Sequence, residues 1–124
     1  MRQILPLALT AAALAAAYLL DLPKSFGAHP WWSQKVVLIG GGAGLAVAFV
    51  LDFLPIKAVI RVALFAGLTV FAYALATYGK TQFAASYAED AFAGALWYFG
   101  WIGTPAALTA VFYTGIAAVW HNRV

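Results

Sequence analysis

The chain has 124 residues, of which 65% are apolar and only 9% charged, with no cysteine and a net charge of +3. A soluble domain carries roughly 25% charged residues, so this composition cannot coat a water-soluble globule of one-domain size. The lack of cysteine excludes disulfide frameworks, thiolate metal sites and cysteine nucleophiles. The seven basic residues are scattered singly, which excludes the clustered basic stripe of a nucleic-acid surface and a contiguous polybasic lipid-binding segment.

A membrane helix needs roughly 20 mainly apolar residues to cross a hydrocarbon core about 30 Å thick. The first candidate span runs over residues 4–20, between Arg2 and Asp21, with Pro23 just beyond. Arg2, the apolar run and Ala15-Ala16-Ala17 also fit a secretory signal with a small-residue cleavage site. The apolar run is longer than a usual signal core and no polar region precedes the cut, so a retained helix is the favoured expectation. The second span covers 36–54, with Asp52 in its last turn and Pro55 as its stop. The third covers 59–78, with Arg61 in its first turn and Gly79-Lys80 closing it.

The last apolar stretch is uncharged from Ala91 to Trp120, longer than one hydrocarbon thickness at about 1.5 Å per residue. One reading is a single tilted helix. The other is an interfacial helix over about 82–99 and a span over 101–119. Trp97 and Trp101 share one helical face and tryptophan favours the headgroup level, which tips the reading toward the split. Pro105 then falls in the first turn or so of the last span, where proline is tolerated. The fold expected is all-α: a polytopic membrane protein whose single domain is an antiparallel bundle of about four transmembrane helices.

Lysine and arginine placement sets orientation. Arg2, Lys57, Arg61 and Arg123 fall on one side and Lys24, Lys35 and Lys80 on the other. The larger group is expected inside, which puts both termini in the cytoplasm of, in this reading, a bacterial inner membrane. Trp31, Trp32, Trp97, Trp101 and Trp120 are the expected interfacial anchors.

The Gly40-Gly41-Gly42-Ala43-Gly44 run lacks the Gly-Lys-Ser/Thr of a phosphate loop and lies within an apolar helix. Gly40, Gly44 and Ala48 form a small-residue face at helical spacing, and Ala63 with Gly67, and Ala72 with Ala76, form another. Because only Pro55-Ile56-Lys57-Ala58 joins the second and third spans, these faces are expected to meet in a tight hairpin. An unwound glycine turn lining a substrate path is the alternative.

Asp52 is the sharpest single residue, because an ionisable group in a membrane segment calls for a partner. Lys57 and Arg61 are the candidates, in an ion pair at the headgroup level or a proton relay. No charged residue sits at the centre of a span, which speaks against an autonomous pump. Glu89 and Asp90 are adjacent and point about 100° apart on a helix, unlike a catalytic pair. His29 and His121 fall on opposite sides, so one chain cannot use both as ligands. Ser25, Ser33 and Ser86 lack a nearby histidine–carboxylate signature. The aromatics Tyr73, Trp97, Tyr98, Phe99 and Trp101 suit interfacial anchoring, with a quinone, pigment or lipid tail as the rival use.

The leading expectation is therefore an accessory or assembly subunit of a larger membrane complex. A small homo-oligomeric transporter or channel comes second, and a membrane enzyme or lipid/quinone-binding protein third. The expected partners are the bilayer and other membrane subunits or a second copy of the chain. No pattern names a cofactor.

Overall fold

The computed structural model describes residues 3–120. Arg2 and Arg123, on which the orientation partly rests, and His121 lie outside the described residues. All regular structure among the described residues is helical: α1 (Ile4–Leu19), α2 (Leu22–Ser25), α3 (Ser33–Leu51), α4 (Ala58–Ala85) and α5 (Ala91–Trp120). Of these, α3, α4 and α5 are long and apolar enough to cross a membrane. With 16 residues, α1 reaches about 24 Å, short of a hydrocarbon core.

The chain stops its helices by local chemistry. Asp21 takes a left-handed conformation after α1, and Pro23 opens the single turn of α2. Asp52 ends α3, and Pro55, which has no N–H to donate, bars its continuation. Beyond α4, Tyr87 and Ala88 adopt positive φ, which breaks the helix. Asp90 then starts α5, its carboxylate accepting from the Ala93 N–H at 3.0 Å while its own N–H donates to Ser86 Oγ at 2.9 Å.

Two boundaries differ from the sequence reading. α4 continues to Ala85 rather than ending at residue 78, because Gly79 is a packing residue and not a stop. A side chain there would meet the Trp97 backbone nitrogen at 2.5 Å and the Ala93 carbonyl oxygen at 2.6 Å. The final stretch is one unbroken helix of 30 residues, not an interfacial helix over 82–99 followed by a separate span over 101–119. Pro105 therefore lies midway along α5, where it removes a hydrogen bond to the Trp101 carbonyl.

The packing is centred on α5. Along α4 the pairs run Gly79 with Trp97, Ala76 with Gly100 and Ala72 with Gly103, so α4 and α5 are antiparallel. Along α3 they run Gly40 with Ile102 and Gly44 with Ala106, so α3 and α5 are parallel. Leu14 of α1 covers Gly41, and α1 also packs on α5. The expected tight packing of the second and third spans is overturned. α3 and α4 leave their short connection on different sides of α5 and pack on it rather than on each other. The reason is steric. α5 has small residues on the sides that meet α3 and α4 (Ala106, Gly100 and Gly103) and lets both backbones approach closely.

Candidate functional site

Three features of the bundle have the makings of a site. The first is at the end that holds the α3–α4 connection. Arg61 Nη1 lies 3.5 Å from Asp52 Oδ1, and Arg61 Nε donates to the Ile56 carbonyl at 3.2 Å. Asp52 is 7% exposed and Arg61 4%, so the pair is buried in protein although each residue is within a turn of its helix end. The fold manages this by hanging the longer α5 alongside. Tyr113, fully buried, packs with Ala48, Phe65 and Ala110 and lies in the field of both charges. Its hydroxyl has no hydrogen-bond partner among the described residues. Of the two cations proposed for Asp52, Arg61 makes the pair; Lys57 is exposed and lends only its carbonyl, to the first turn of α4.

The second feature is an aromatic cluster at the opposite end. His29 stacks on Trp32 (ring centroids 5.9 Å apart) and meets the edges of Trp31 and Trp97. Trp32 in turn meets Trp97 and Tyr98 at 5.4 and 5.2 Å. The Trp97 Nε1–H donates to the Gly27 carbonyl at 3.0 Å, and the Tyr73 hydroxyl donates to the Phe26 carbonyl at 3.2 Å. These two bonds tie the residues that follow α2 to α4 and α5. Trp31 and Trp120 are exposed at the two ends of the bundle, at 89% and 59%, where indole rings suit the headgroup level. Trp101 is 5% exposed and packs edge-on against Tyr73 at 5.6 Å. It is a core residue rather than an anchor, because α5 turns that side toward α4.

The third feature was not visible in the sequence. Because α1 and α4 both flank α5 without closing over it, a groove of about 610 Å³ lies between them. Thr10 and Ala13 form one wall, Tyr73 and Ala74 the other, and Pro105 and Thr109 part of the floor. A smaller groove of about 410 Å³ lies between α3 and α4 on the other side of α5. Both are apolar. Two threonines at the larger one turn inward to their own helix, Thr69 Oγ1 donating to the Phe65 carbonyl at 2.8 Å and Thr104 Oγ1 to the Gly100 carbonyl at 2.7 Å, while the buried Thr10 hydroxyl has no partner among the described residues.

The remaining candidates separate. Gly40 and Gly44 face α5, and Ala48 is fully buried beside Ala110 and Tyr113. The glycine run stays helical throughout, so no unwound turn lines a path. Ala63 and Gly67 are exposed on the outer side of α4, and a side chain at Gly67 would meet nothing within 4 Å. Glu89 and Asp90 are exposed, and His29 stands in the aromatic cluster, so the three form no common pocket. Among the described residues no group of three His, Asp or Glu side chains is placed to hold a metal. No family model, curated protein or solved structure matches the chain.

Proposed function

We propose that the chain is an accessory or assembly subunit of a larger membrane complex. In this reading it crosses a bacterial inner membrane four times, with both termini cytoplasmic. The alternating directions of α1, α3, α4 and α5 support four crossings, with the bilayer thinning slightly around the short α1. The observation that carries the subunit reading is the outer face of α4, the least buried of the three long helices. There Ala63 and Gly67 form a flat small-residue strip flanked by exposed Ile60, Leu64 and Leu68. Inside the molecule such strips are where α5 meets its neighbours. A comparable strip left open suits a helix from another chain.

Native mass spectrometry of the protein, purified in mild detergent from its own host, tests this. Stoichiometric co-purifying chains, lost in Gly67→Leu, support the subunit reading. A clean homo-oligomer refutes it. A homo-oligomeric transporter is the second reading, favoured by the buried Asp52–Arg61 pair beside the Tyr113 hydroxyl, which has no partner among the described residues. It requires Asp52→Asn to abolish transport in reconstituted vesicles.

A further inference from the structure

We infer that the groove between α1 and α4 is a binding site for one anionic glycerophospholipid. The tails lie along α5 and the phosphate sits on Lys24 and Lys80. The floor of the groove runs from Trp101 to Phe112, about 16 Å of helix. Carbon atoms pack at about 4 Å, so two extended alkyl tails of that length fill roughly 400 Å³ of the 610 Å³ present. A helix of about 10 Å diameter would displace roughly 1,250 Å³ over the same length, too much to seat fully.

The headgroup assignment comes from one end of the groove. Pro23 and Phe26 of the α2 segment close that end, and Lys24 projects from the same segment, exposed. Lys80 is two turns along α4 from Tyr73, on the same face. Its Nζ lies over Gly27, at 3.4 Å from where a side chain there would begin. The two lysines therefore flank the segment that caps the groove, although 56 positions of sequence separate them. Neither is in an ion pair among the described residues. The carboxylates at this end are Asp21, Glu89 and Asp90; Asp90 is engaged as the cap of α5. The aromatic rings of Tyr73 and Trp101 line the groove just below, at the depth where tail meets glycerol backbone.

The test uses the full chain reconstituted in nanodiscs of equimolar phosphatidylglycerol and phosphatidylcholine, released into native mass spectrometry. A basic residue near an anionic lipid surface contributes about a five-fold preference, so the wild type retains one phosphatidylglycerol per chain with a preference of roughly twenty-five-fold. Lys24→Gln with Lys80→Gln brings the two lipids close to parity. Ala74→Trp, which fills the groove, removes retention of both, and its far-UV circular dichroism verifies the fold. Should that variant fail to fold, a photo-crosslinker at Ala13 reports the occupant directly. A lipid adduct supports the site and a polypeptide adduct overturns it. Equal retention of both lipids by the wild type, or a preference that survives loss of both lysines, also overturns it. None of these readouts depends on whether the chain assembles with other subunits.

Discussion

Gly100→Ala tests the central claim that α5 is the helix on which the others pack. A methyl group at Gly100 would lie 2.7 Å from the Ala76 nitrogen and 2.8 Å from its Cα and Cβ. Ordinary contact begins near 3.4 Å, so the shortfall is up to 0.7 Å. Two of the three atoms are backbone, and no rotamer change moves them aside. The helices must part locally, and overpacking of this kind costs about 1–3 kcal/mol. Alanine recovers up to about 1 kcal/mol of helix propensity, which at full recovery leaves a net loss of about 0–2 kcal/mol. Gly67→Ala on the open face of α4 is the matched control: the same chemical change with nothing within 4 Å. It is expected to be neutral or stabilising by up to about 1 kcal/mol. The two variants should therefore differ by about 2 kcal/mol in unfolding by sodium dodecyl sulfate titration from mild detergent micelles, followed by far-UV circular dichroism. If they match each other within about 0.5 kcal/mol, the α4–α5 contact does not have the closeness described.

Other substitutions probe the remaining features. Arg61→Met removes the guanidinium from a buried ion pair and should cost about 3 kcal/mol in the same titration; a loss below about 1 kcal/mol would mean the pair is solvated. Tyr113→Phe deletes a buried hydroxyl that has no partner among the described residues, so stability should hold or rise by about 1 kcal/mol. A clear loss would reveal a hydrogen-bond partner for that hydroxyl. Trp97→Phe keeps the ring packing but removes the bond to the Gly27 carbonyl; faster amide exchange across residues 24–29, with α5 unchanged, is the expected result. Uniform protection in that segment would refute its role as a tether.

The membrane character of the chain and its helical spans are consequences of composition and run length, which act locally. Any segment of some 20 apolar residues must satisfy its backbone internally once inside hydrocarbon, and the α-helix does this without help from neighbours. For the same reason the stops at Asp21 and Pro55 were readable: they act through the backbone of their own segment. Gly79 and Gly100 were not readable in this way. A glycine after an apolar run reads as a terminator, yet Gly79 stays helical because α5 lies against it.

Which small-residue face meets which was likewise a tertiary decision. Gly40 with Gly44 and Ala63 with Gly67 carry the same spacing signal, but the first pair is buried on α5 and the second is open. Loop length suggested that consecutive spans would pack together, and it misled. Nearness along the chain limits where helices can go, while closeness of approach decides where they stay. The central place of α5, the grooves it leaves on either side, and the placing of Lys80 over Gly27 all follow from that choice. No local pattern encodes them, because each depends on atoms brought together from distant parts of the sequence.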